Sequence, residues 1–350
     1  MHNLQLTEDQ ELIVDTVGKY VADAVAEKAQ EQDEHRTFAR AAFDGLAELG
    51  VCGLLVAEAN GGAGMGFLPF AAALESVGAH SSSLARLWVA QVQCAVAIEA
   101  AGADGLDEVM AGTTLASFVG PEHGLGFSAG RVAGTAPMVS GASQARRFVL
   151  AAVDGGEPVL LSVAAEHAGI APLRSLGLAS AGCARVTFDA VDAKVLATGE
   201  VAQKAIARAQ VVAWIGVAAT AVGSGLASIA AARKHAGDRI AFGKPLLTQQ
   251  AVLRKLVECR RQVEASRHLL WHAARLADLG QDCTDAALQA RIAAVDAMVL
   301  AADEAIQIHG GYGYTVEYHV ERHYRDGKTL EVLDGGAEAL RDRLAARQFA

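Results

Sequence analysis

The chain has little proline, little cysteine and no concentration of positive charge, and each shortage closes off a class of protein. Six prolines in 350 residues leave long stretches free to form uninterrupted helix. The five cysteines, Cys52, Cys94, Cys183, Cys259 and Cys283, are scattered and odd in number, with no C-x-x-C pair. They support neither a zinc site nor a disulfide framework, and a reducing cytoplasmic setting is expected. Thirty Lys and Arg against 40 Asp and Glu give a formal net charge of −10 with no basic block. Nucleic acid is therefore not an expected partner, because phosphate binding needs clustered cations. The N-terminal MHNLQLTEDQE is polar and acidic, without the apolar core of a secretory signal. His309, His319 and His323 lack metal-ligand spacing, so no metal site is expected.

What is present is apolar: 52% of residues are hydrophobic and 20% charged, the balance of a globular protein large enough for two or three cores. From Ala209 to Ala232 there is no charged residue, a length that would span a bilayer at ~20 residues. The run is mostly Ala, Gly, Val, Ser and Thr with Gln210 inside it. Small residues of this kind suit close helix packing, and a buried bundle helix is expected here, not a membrane span.

Three regions follow from periodicity. Residues 1–112 read as a helical domain: Thr7 and Gln10 form a capping-box pattern, and Leu12, Ile13, Val17 and Val21 recur at helical spacing. Asn60-Gly61-Gly62-Ala63-Gly64 is a loop by composition, and Leu68–Val77 and Ser83–Ala101 are further helices. Residues 113–198 change to short β-like runs broken by Gly, Pro and Asp, which predicts a small β-barrel or sandwich. Residues 199–350 return to helix; Leu288, Ile292, Val295, Val299, Ala302 and Ile306 form an amphipathic stripe, and an antiparallel bundle is expected. The fold class is thus α+β, mainly α.

Two motifs in the last region carry chemistry. RIAFGKPLLTQQ, Arg239 to Gln250, joins two helices; Arg239 offers a planar fork of donors to a pyrophosphate and Phe242 a surface for a flat ring. QIHGGYGYTVEYHVERHYRD, from Gln307, puts Gly310, Gly311 and Gly313 within four positions, more than a helix end requires. These glycines end a helix where a Rossmann fingerprint would open one. Glu317, Arg322, Arg325 and Asp326 are expected to fix their turn by internal salt bridges. Asp334, after the apolar Leu330, Val332 and Leu333, has two readings. It is the N-cap of the helix opening at Gly335-Gly336, or a carboxylate base whose pKa burial would raise.

Both motifs closely resemble the C-terminal signatures of the acyl-CoA dehydrogenase family, flavoenzymes that place a double bond α,β to a thioester. The likeness runs through essentially the whole chain, strongest at the C-terminus. It implies an N-terminal helical domain, a small middle β-barrel and a C-terminal four-helix bundle. It also implies FAD, an acyl-CoA substrate from fatty acid or steroid side-chain degradation, and an electron-transfer flavoprotein as acceptor. By the same resemblance Arg239, Phe242, Gln250, Gln307, Gly310 and Gly311 contact FAD across a subunit interface, so an oligomer is expected. Phe118, in SFVGPEHG, matches an aromatic of a flavin-contacting turn. Asp334 falls where most members carry the catalytic Glu; the alternative base position is occupied by Ala213.

Departures from the family pattern are equally specific. Pro121 stands where a hydroxyl residue would meet the flavin, no Trp appears in MVSGASQARRFVL, and Gly336 and Glu338 replace a Thr and a Gln. Two versions of the enzyme follow. Asp334 is a working base in a homo-oligomer, or this chain is the shortened, non-catalytic subunit of a heteromer whose partner holds the base. A flavin monooxygenase on the same fold is a further alternative.

Overall fold

The computed structural model describes residues 4–241 and 243–349. The first helix, α1 (Glu8–Tyr20), begins as its sequence predicts: the Thr7 amide donates to Gln10 Oε1 at 3.1 Å and the Gln10 amide to Thr7 Oγ1 at 3.3 Å. One π-turn (Val21–Val25) leads into α2 (Ala26–Glu34). The N-terminal helical layer is completed by α3 (Arg40–Glu48), α4 (Phe67–His80), α5 (Ser82–Ala101) and the short α6 (Leu106–Met110).

Eight strands follow: β1 (Ala116–Val119), β2 (Leu125–Ser128), β3 (Arg131–Val139), β4 (Arg147–Asp154), β5 (Glu157–Ala164), β6 (Gly169–Pro172), β7 (Ala184–Asp192) and β8 (Lys194–Thr198). They form one sheet in the order β6-β7-β3-β2-β4-β5-β8, with β1 on β4. The hydrogen-bonded path ends at β6 and β8, and this sheet is the middle β region expected from the sequence. It is folded over its own core: Phe148 on β4 meets Phe188 on β7 edge to face at 5.8 Å, although two strands separate them in the sheet.

The C-terminal layer is helical: α7 (Gly199–Asp238), α8 (Gln250–Asp278), α9 (Thr284–His309), α10 (Val320–Leu330) and α11 (Gly336–Phe349). A two-stranded ribbon, β9 (Ile240–Ala241) with β10 (Lys244–Pro245), joins α7 to α8. By length and composition α5 and α7 would each cross a membrane, yet most of each apolar window is buried inside the protein. The small residues of α7 have a steric reason. A Cβ on Gly223 would collide with the Glu75 carbonyl of α4, one on Gly78 would lie 2.5 Å from the Thr220 oxygen, and one on Gly216 2.5 Å from a Val89 methyl. The helices cross at backbone contact, which only glycine permits.

The charge-rich turn serves a wider purpose than internal pairing. Arg325 does pair locally with Glu321, but it also donates to Asp33 of α2 at 2.5 Å and to the Leu176 carbonyl at 3.2 Å. Buried Asp326 accepts from the Leu178 amide at 2.6 Å, and Arg322 donates to the His80 carbonyl at 2.9 Å. These groups fasten the bundle to the other two layers. Burial pushes the Asp326 carboxyl up to about 6.

Candidate active site

Asp334 stands on the link between α10 and α11, in the left-handed region at φ 54°, followed by Gly335 and Gly336 at φ 94° and 84°. Three successive left-handed residues make a tight reversal, for which Asp is among the more tolerant non-glycine residues. The Gly336 amide donates to the Leu333 carbonyl at 3.0 Å and the Ala337 amide to the Glu331 carbonyl at 2.8 Å. Main-chain carbonyls thus take the two amides nearest a cap, and the Asp334 side chain turns inward instead. Behind the link, fully buried Arg291 of α9 donates to the Leu330 and Leu333 carbonyls at 3.0 and 2.7 Å.

The partner of Asp334 is Arg86. Its Nη2 donates to Asp334 Oδ1 at 2.7 Å, and the two side chains are 6% and 13% exposed. Arg86 is the single charged residue along the wholly buried Ser82–Ile98 stretch of α5. Its other nitrogens reach Ser140 Oγ at 3.3 Å and Gln93 Oε1 at 3.4 Å. The guanidinium is therefore held by the sheet, by its own helix and by the bundle link together. Asp334 Oδ2 is buried and has no hydrogen-bond partner.

A cavity beside this pair is walled by three segments that the family resemblance places near a flavin. Phe118, Gly120 and Glu122 come from the first turn, Met138, Val139 and Ser140 from the later strand, and Leu333 and Asp334 from the C-terminal link. Ala213 and Trp214 of α7 complete it. Its volume for water centres is about 20 Å³, room for about one water. Glu122 is exposed through its main chain, but its side chain is only 21% exposed. Burial, and next the charge of Asp334, push its carboxyl up to about 7. Arg343 of α11 lies over the Trp214 ring at 4.8 Å and donates to Gln210 at 3.3 Å.

The remaining sequence candidates fall into two places. Phe118, 8% exposed, is in the wall of this cavity. Arg239, Gln250, Gln307, Gly310 and Gly311 are exposed on the bundle surface, and Phe242 lies outside the described residues. The ribbon holds Arg239 at its base, where the Leu246 amide donates to the Arg239 carbonyl at 2.8 Å. Next to it opens a cleft of about 460 Å³ lined by Lys234, His235, Arg239, His309, Tyr312 and Tyr318, with His235 stacked on His309 at 4.2 Å.

The two places differ in how they suit a flavin nucleotide. At Gly310 and Gly311 a Cβ would meet nothing within 4 Å, so the main chain is open to close approach. Arg239 beside them is a free-standing donor fork for a pyrophosphate. These surface residues fit the nucleotide half. The cavity at Asp334 does not fit the ring half: about 20 Å³ is far below the ~300 Å³ at which ligand pockets begin.

Sequence reasoning missed Arg86, Glu122 and Arg291. Arg86 did leave a signal, the single charge in the otherwise uncharged, mostly apolar run from Ser82 to Ile98. Glu122 and Arg291 had no local signature, because their roles arise from elements far away in sequence.

Comparison with known proteins follows the same outline. A family profile described as acyl-CoA dehydrogenase, N-terminal domain, matches residues 7–109, and one described as acyl-CoA dehydrogenase, C-terminal domain, matches residues 201–349. A probable acyl-CoA dehydrogenase, YngJ, of Bacillus subtilis (strain 168) is 28% identical over 380 residues, covering 99% of each chain. A short-chain specific acyl-CoA dehydrogenase of Megasphaera elsdenii is 42% identical over 125 residues, 35% of this chain and 32% of its own length. Among solved structures, the butyryl-CoA dehydrogenase of Megasphaera elsdenii superposes with a TM-score of 0.91 at 25% identity, covering all of both chains.

Proposed function

This chain belongs to the acyl-CoA dehydrogenase family and is an oxidoreductase of that kind; from that premise we propose that it serves FAD-dependent α,β-dehydrogenation of an acyl-CoA thioester as one subunit of a heteromer. The observation that carries the reading is the engagement of Asp334. A base must be within reach of the proton it abstracts, whereas this carboxylate is the counter-ion of a buried arginine in a cavity too small for a thioester. Freeing it would leave Arg86 buried without compensation, a loss of the kind that costs ~3–5 kcal/mol. The α-proton is then taken by a carboxylate of the related partner subunit.

FAD, when bound, supplies the acceptor for the β-hydride, and electrons pass on to an electron-transfer flavoprotein. In this reading the chain holds the nucleotide half of a cofactor seated in its partner, through Arg239, Gln250, Gln307 and the open main chain at Gly310 and Gly311. Phe242 of the same motif is assigned with them.

The test is to isolate the native assembly and titrate it without oxygen with acyl-CoA thioesters of several chain lengths and shapes. A yellow hetero-oligomer whose visible flavin band bleaches on thioester addition is expected. An assembly that stays colourless with excess FAD, or a homo-oligomer that is fully active by itself, would refute the proposal.

A further inference from the structure

We propose that this chain carries no flavin on its own face, and that the family's ring position in it has been closed by a charge cluster from all three layers. The identity of the cofactor rests on the reading above; the closure is a property of the described residues.

Three stretches that should face a ring do converge, so the position exists in the fold: the turn at Phe118–Glu122, the strand end at Met138–Ser140 and the link at Asp334 share one cavity. What they enclose, though, is space for about one water. The occupant is Arg86. It enters from α5, 5% exposed, and is tied to Asp334, Ser140 and Gln93. Three ties in three directions leave the guanidinium no alternative position that keeps Asp334 paired.

A second element acts in the same sense. The Glu122 side chain packs over the link, where a Cβ on Gly335 would lie 3.5 Å from its own Cβ. It shares the cavity with Asp334, so two carboxylates face the place a ring would fill. Sterics exclude the ring here, while the exposed nucleotide-binding residues on the bundle surface remain open. The asymmetry means that cofactor contacts survive only toward a neighbour.

Flavin stoichiometry decides the matter. The purified chain, dialysed against FAD, is expected to stay colourless and to show no rise in melting temperature. The native assembly with its partner is expected to contain one FAD per two chains, measured as released flavin against total protein by amino-acid analysis. One FAD per chain in the assembly, or tight FAD retention by the chain alone, would overturn the inference. A half-occupied assembly that does not oxidise any acyl-CoA would sink the dehydrogenase reading and leave the closure standing. Full occupancy in an active heteromer would do the reverse.

Discussion

Arg86 and Asp334 lie 248 residues apart in the chain and 2.7 Å apart in the fold, and their ion pair stands where the family resemblance places substrate chemistry. The pair joins the N-terminal helices to the C-terminal link, with Ser140 of the middle region as a third attachment. Its consequences for stability and for chemistry are separable by mutation.

Arg86→Leu removes the cation and leaves Asp334 buried beside Glu122. A loss of ~3–5 kcal/mol is expected, since a buried charge is then uncompensated. The double variant Arg86→Leu/Asp334→Leu should recover much of it, because replacing both partners by apolar groups is often close to neutral. Urea unfolding of the wild type, both single variants and the double variant measures the coupling. Additive single effects would argue that the pair is incidental.

Glu122 sets a pH dependence. Its carboxyl is raised from an ordinary 4.5 to about 7, first by burial and then by Asp334. Between these values the folded chain holds a proton that the unfolded chain has released, so stability is higher at pH 4.5 and falls as pH rises to 7. The contribution is at most ~3 kcal/mol. Asp326, raised to about 6, slopes the same way, so the wild type alone does not isolate Glu122. Glu122→Gln should flatten the profile relative to wild type and be more stable at pH 8. Identical profiles for the two proteins would contradict the burial of this side chain.

Gly223→Ala tests the core. The added methyl would strike the Glu75 carbonyl of α4, and neither backbone has room to withdraw. A loss of ~3 kcal/mol or more is expected from this overpacking, against a gain of ~0.5–1 kcal/mol for the same change at half-buried Gly237 of the same helix, where a Cβ would meet nothing within 4 Å. Circular dichroism melts of both variants make the comparison. Equal melts would mean that the two helices do not cross at backbone contact.

Arg291→Met should loosen the link without touching the ion pair. Its loss takes one donor from the Leu330 carbonyl and leaves the Leu333 carbonyl to the Gly336 amide. Amides of residues 333–337 are expected to exchange faster while those of α9 stay protected. Unchanged exchange in the link would show that the turn holds itself.

Much of this was legible in the sequence. The three regions follow from hydrophobic period, the Thr7 cap from four residues, and the glycine-rich α7 from the steric need of a close crossing. The two surface motifs, Arg239 to Gln250 and the stretch from Gln307, are each contiguous and so readable. The state of Asp334 was not, because local chemistry leaves cap and base equally open. Its ion-pair partner is Arg86, a residue on a helix 248 positions away, and no periodicity links the two.

The most direct test of the central claim is the rate of anaerobic flavin reduction by substrate in the native assembly, with Asp334→Asn against wild type. Asn retains the size and an oxygen for Arg86 but accepts no proton. A counter-ion role predicts an Asp334→Asn assembly of unchanged flavin content that is reduced within about twofold of the wild-type rate. A collapse by ~10² or more, the scale of a lost general base, with folding and flavin content intact, would make Asp334 the base and contradict the account.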